Sequence, residues 1–157
     1  MAASFFIEAL PAEDFHSLFK LSDEELALQN AKWLNVDSDP GYPCRVSLAD
    51  AKVGERVLAL AFDHHDVDSP YRASGPIVIR ENSVTAKPNT NEVPKMFHHR
   101  LLSIRAYDLC HMMIDAQVVA GTELELVIES QFNNSAVEYI HIHNANRGCF
   151  DCAVYRA

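Results

Sequence analysis

The chain has 157 residues, 48% hydrophobic and 22% charged, which is the balance of an ordinary globular protein and the length of one domain spanning 1–157. Lys and Arg number 13 against 22 Asp and Glu, so the net charge is −9 at pH 7 and neither nucleic acid nor an anionic membrane is expected as the main partner, because both bind basic surfaces. No apolar run approaches the roughly 18 residues of a membrane span, the segment before Lys20 has none of the basic residues of a signal peptide, and the four cysteines then fit a reduced, cytoplasmic setting.

In chain order, Pro11 opens a helical pattern in which Phe15, Leu18 and Phe19 share one stripe. Ser22 and Glu25 form a capping box, with Leu21 placed to staple onto Leu26, and predict a second short helix from Asp23 to about Asn30. The two helices are expected to form a lid. From Lys32 the period becomes strand-like. Lys32 to Val36 alternates, Asp37 to Pro43 is dense in turn residues, and Cys44 to Leu48 alternates again. Arg56 to Phe62 is apolar throughout, as in a strand covered on both faces. Pro76 to Arg80 sends Ile77 and Ile79 to one side and Val78 and Arg80 to the other.

Glu81 to Pro94 is polar, holds two prolines and reads as an exposed loop. Leu101 to Tyr107 and Met112 to Val119 read as a hairpin turning near Asp108. The spacing of Cys110, His111, Ile114 and Val118 also fits a helix, and the Ile and Val content decides for strand. Thr122 and Glu125 form a second capping box, predicting a helix near 123–132 with Leu124, Val127, Ile128 and Phe132 on its apolar stripe. Strands from Glu138 to Asn144 and Phe150 to Tyr155 flank a turn at Asn146 to Gly148. The sum is an α+β domain: two short N-terminal helices, one late helix, and a mostly antiparallel or mixed sheet of about seven to eight strands.

The segment Tyr139-Ile140-His141-Ile142-His143-Asn144 carries the most information. In a strand Ile140 and Ile142 enter the core, while Tyr139, His141 and His143 line the other face, the two imidazoles about 7 Å apart. The same alternation puts Ser103, Arg105 and Tyr107 opposite the apolar Leu102, Ile104 and Ala106. Across the hairpin Arg105 is placed to pair with Asp115. Arginine presents a fork of donors suited to carboxylate and phosphate oxygens. Arg72, Arg80, Arg105 and Arg147, with Tyr107, Tyr139 and Asn144, therefore form a candidate anion pocket beside His141 and His143. If the pocket is catalytic, one of these histidines is the natural general acid or base, with an arginine holding developing negative charge.

A metal reading competes with the anion pocket. Cys149 and Cys152 have the spacing of a zinc knuckle or redox dithiol, and His141, His143 and Cys149 make a candidate zinc set. No second C-x-x-C exists, and a chain of this length folds without a metal staple, so no cofactor is required. The doublets His64-His65 and His98-His99 are set aside because consecutive residues on a regular element point apart. No G-x-G-x-x-G, P-loop, G-x-S-x-G or H-E-x-x-H motif occurs, so nucleotide binding and the familiar hydrolase frameworks gain no support.

The combination of Gly41-Tyr42-Pro43-Cys44-Arg45, Ser69-Pro70-Tyr71-Arg72-Ala73-Ser74-Gly75-Pro76, Leu102-Ser103-Ile104-Arg105-Ala106-Tyr107-Asp108 and His141-Ile142-His143-Asn144-Ala145 with Gly148-Cys149 resembles a family of small bacterial proteins catalogued as a domain of unknown function. The resemblance covers nearly the whole chain. It implies a bacterial, single-domain, cytosolic protein, and no activity or catalytic residue comes with it. Cys152 lies outside the shared pattern, which weakens the dithiol reading. Three functions follow from the residues: an anion pocket, a zinc site, or a non-catalytic structural or interaction domain whose polar residues form a core network or a homodimer contact.

Overall fold

The computed structural model describes residues 2–157. Eight strands form two antiparallel sheets. The first sheet has the order β1-β8-β7-β5-β6, with β1 Phe5–Glu8, β5 Leu101–Tyr107, β6 Met113–Ala120, β7 Tyr139–Asn144 and β8 Phe150–Arg156. The second has the order β2-β3-β4, with β2 Ala31–Asn35, β3 Arg56–His65 and β4 Ala73–Arg80. Two helices, α1 Asp23–Leu28 and α2 Leu124–Phe132, complete an α+β architecture that is mostly β. Among the described residues no helix is long and apolar enough to cross a membrane.

The local signals explain most of these elements. Ser22 Oγ accepts from the Glu25 amide and the Glu25 carboxylate accepts from the Ser22 amide, so α1 starts on a complete capping box. Helix α2 buries Leu124, Ile128 and Phe132, spaced i, i+4 and i+8, against the first sheet. Burial of each such side chain contributes about 1.5–3 kcal/mol. The β5–β6 hairpin turns where Asp108 Oδ1 accepts from the amides of Cys110 and Met112, so 113–120 is strand.

Several expectations are corrected. The stretch after Pro11 folds as two 3-10 turns, Ala12–Asp14 and Leu18–Lys20, in place of one helix, and Phe15, Leu18 and Phe19 all pack on the second core. Thr122 does not cap α2. A 3-10 turn, Gly121–Glu123, leads into it and Glu123 stands at the cap without a side-chain bond. Cys44 to Leu48 is a turn-rich segment that buries Cys44 and Val46 beside β4 and is no regular strand. A strand at Phe5–Glu8 escaped the sequence reading; its Phe5 and Ile7 are buried through pairing with β8. Arg105 is opposite Ala116, whereas Asp115 is opposite Ala106 on the other face, so the proposed Arg105–Asp115 pair does not form. The hairpin register alone decides that outcome.

Leu102, Ile104, Ile140, Ile142 and Val154 give one face of the first sheet to the α2 core. The other face, with Arg105, Tyr107, His141 and His143, turns toward the end of β3, where Phe62 and His64 pack on Phe150 at ring-centroid distances of 6.4 and 5.3 Å. A polar-faced sheet is thereby covered by a second sheet.

Candidate functional site

The register of β5 and β7 sets Arg105 directly opposite His141, Ser103 opposite His143 and Tyr107 opposite Tyr139, all on one face. The His141 and His143 rings lie 6.3 Å apart, close to the two-residue strand repeat. A β-bulge between Phe62 and His65 re-aims the end of β3, so both consecutive histidines face this sheet. The His64 ring stands 5.0 Å from His143, and the His65 ring 5.1 Å from His141. The doublet set aside on the rule that neighbours point apart thus joins the site. A bulge breaks that rule, and nothing local in the sequence marks one here.

Two hydrogen-bond chains orient the rings. The Gly148 carbonyl lies 2.8 Å from His143 Nδ1 and can only accept, so Nδ1 carries the proton and Nε2 presents a lone pair. The Tyr71 carbonyl likewise holds His65 Nδ1–H at 2.8 Å. The Tyr139 hydroxyl lies 2.5 Å from His65 Nε2 and 2.9 Å from His111 Nδ1, so it links the two rings. Tyr107 stacks on Tyr139 with centroids 5.2 Å apart. His111, which the sequence places only on the alternative helical spacing with Cys110, Ile114 and Val118, has a left-handed backbone, φ 62°, that directs its ring back onto Tyr139.

Burial dominates the electrostatics. It lowers His141 to about 2, with His65, His143, His64 and Arg105 adding repulsion, and it lowers His143 to about 3. The Gly148 carbonyl opposes the second shift, while Arg105, His64 and Arg45 reinforce it. Burial also lowers His64 and raises Tyr107 and Tyr139. His64, His141 and His143 are therefore neutral at pH 7. His64 Nδ1, His141 Nδ1 and His143 Nε2 are buried and find no hydrogen-bond partner among the described residues. Such a polar atom costs about 1–3 kcal/mol when it stays unpaired. Arg105 forms no ion pair with any described carboxylate, and its Nε donates to Ser103 Oγ at 3.1 Å. That bond leans the guanidinium along β5 toward Ser103, the residue facing His143.

Beside the cluster runs a groove of about 760 Å3. Ala59, Ile77 and Val78 of the second sheet line one wall, and Asn144, Arg147 and Cys149 around the β7–β8 turn line the other. Arg45 also lines it, and its charge contributes to the lowering of His143. Arg45 is itself committed: Nε donates to the Phe150 carbonyl at 2.8 Å and lies 3.4 Å from the fully buried Asp151. Burial pushes the Asp151 carboxyl up to about 6, although Arg45 pulls it down. Arg147 is exposed and pairs with no described carboxylate, leaving it as a free cation on the groove.

The expected pocket is thus assembled in part. Arg105, Tyr107, Tyr139, His141 and His143 converge, and Asn144 and Arg147 lie on the adjoining groove. Arg72 instead pairs with Asp66 at 2.9 Å in solvent, and Arg80 holds Glu55 through two 2.8 Å bonds. A nearer carboxylate claims each of them. Cys149 lines the groove while Cys152 enters the core, which separates the C-x-x-C thiols. Among the described residues no group of three or more His, Cys, Asp or Glu side chains is arranged to hold a metal ion.

Fold and site together define a small two-sheet α+β domain with an imidazole–tyrosine cluster, and an arginine that has no described carboxylate partner, between its sheets. A family model described as protein of unknown function, DUF1203, matches residues 41–156. The chain belongs to that family. No match was found among curated proteins or among solved structures.

Proposed function

We propose that the cluster between the sheets binds a small oxyanion, a carboxylate or phosphate that also carries an O–H. The observation that carries this reading is the pairing of two unsatisfied groups with opposite needs. Arg105, without an acidic partner, supplies a charge-assisted fork for the anionic oxygens, and the buried lone pair of His143 Nε2 accepts the O–H. The groove beside Arg45 provides the approach, and Arg147 supplies an attractive charge at its surface. The same pair is the arrangement that general-base chemistry uses, the imidazole taking the proton while the guanidinium holds the negative charge that develops.

Calorimetric titration of the full chain with hydrogen phosphate and with a 2-hydroxycarboxylate tests the proposal. Wild type is expected to bind at least one of them saturably. Arg105→Ala should weaken that binding roughly 10–100-fold, the worth of a charged hydrogen bond of about 1.5–3 kcal/mol, and Arg105→Lys should restore part of it. No saturable binding of either probe, or equal binding by Arg105→Ala, overturns the reading.

A further inference from the structure

The two ends of the first sheet are treated differently. At one end β1 is four residues long, and the 88–94 loop closes it, with the Asn91 amide donating to the Phe5 carbonyl and the Phe5 amide donating to Asn91 Oδ1. In the second sheet β4 is bridged by Cys44, and the Arg45 amide donates to Val78. At the other end of the first sheet β6 is eight residues long and has one strand neighbour. It contains no Pro, Gly, Lys or Arg, the residues that usually blunt an edge, and only Asp115 is charged.

The hydrogen-bond parity shows which groups are free. Leu101 and Tyr107 direct their carbonyls to Ala145 and Glu138 on the β7 side, so the even residues of β5 face β6. The pairs Leu102–Val119, Ile104–Gln117 and Ala106–Asp115 are then the hydrogen-bonded ones. The amides and carbonyls of Ile114, Ala116 and Val118 point away from the sheet, and the side chains of Ile114 and Val118 are 40% and 61% exposed.

We propose that β6 pairs antiparallel with the β6 of a second copy, joining two five-stranded sheets across a two-fold axis at Ala116. The occupant is argued from self-complementarity. With Ala116 facing the partner's Ala116, Ile114 faces the partner's Val118 and Val118 the partner's Ile114. On the opposite face Asp115 meets the partner's Gln117, whose amide donates to the carboxylate. Sliding the axis to Asp115 sets two carboxylates against each other. Sliding it to Gln117 sets Asp115 against the partner's Val119. Only the register at Ala116 matches apolar with apolar and acid with donor. The inference is independent of the anion site.

Light scattering on the full chain across a concentration series, together with symmetric cross-linking, tests it. Wild type is expected at twice the chain mass, and Val118→Lys or Ile114→Lys, both at exposed positions, should raise the dissociation constant at least tenfold and remove the concentration dependence of the thermal midpoint, while leaving the midpoint of the fully dissociated protein unchanged. In a Cys110→Ser background Ala116→Cys should form an intermolecular disulfide on mild oxidation, and Gln117→Cys should not. A monomer at every concentration, a dimer indifferent to both lysine variants, or cross-linking of Gln117→Cys in place of Ala116→Cys overturns the proposal.

Discussion

His143 illustrates how a titratable group becomes specialised by its surroundings. One ring nitrogen is tied to a carbonyl, the other is held dry, and the ring is 1% exposed. The folded His141 and His143 titrate at about 2 and about 3, below the 6.5 of a free imidazole. Between pH 6 and 4 the unfolded chain therefore binds protons that these folded rings refuse, and stability falls as pH falls. Asp151 acts in the opposite sense, since its folded value of about 6 exceeds the ordinary 3.8 and the folded form takes a proton first. The two printed histidine shifts against Asp151 leave a net loss of about 1 kcal/mol per pH unit over that window, and the lowered His64 adds to it. In His143→Gln the loss should be shallower by about 1 kcal/mol per pH unit, as measured by urea unfolding at successive pH values. Identical slopes in the two proteins would show that His143 is not buried neutral.

At the scale of elements, one close approach positions α2. Gly121 lies so near the Phe97 carbonyl that an added Cβ would stand 1.6 Å from its oxygen and 3.1 Å from the Arg100 carbonyl oxygen. The Gly121 amide donates to that Arg100 carbonyl at 2.8 Å, which fixes the start of the 3-10 turn ahead of the helix. Backbone on both sides leaves no flexible group to yield. Gly121→Ala should therefore cost about 3 kcal/mol or more, the range of severe overpacking, seen as a lowered urea midpoint. A cost below 1 kcal/mol would mean that α2 shifts freely. The sequence carried no sign of this contact, although it correctly marked the α2 stripe and the hairpin before it. Periodicity reports what an element buries, and it does not report how closely two backbones approach.

On the scale of the whole molecule, the turn-rich segment 43–50 ties the two sheets together. Cys44 and Arg45 pair with Val78 of β4, while the Arg45 side chain reaches Phe150 and Asp151 of β8. Both charges are almost completely buried, so each depends on the other for compensation. Asp151→Asn keeps the shape and removes the charge, and urea unfolding of variant and wild type at successive pH values reads how far the two buried charges compensate each other. Because the folded Asp151 carboxyl takes its proton at about 6, above the ordinary 3.8, wild type should gain about 1 kcal/mol over Asp151→Asn between pH 7 and pH 5; an equal difference at both values would contradict that raised titration.

The sequence alone determined what each segment does with its own faces. The alternation in 101–107 and 139–144 separated the apolar from the polar side chains, and so marked Arg105, Tyr107, His141 and His143. The capping box at Ser22 and the α2 stripe were equally local. Tertiary structure decided which polar faces meet. Register, set by the whole hairpin, parted Arg105 from Asp115, and a bulge brought in His64 and His65. Ion-pair partners remote in sequence took Arg80 for Glu55 and Arg45 for Asp151. Pairing and charge satisfaction depend on distances in space, and a pattern of residue types along one strand carries no information about the strand opposite.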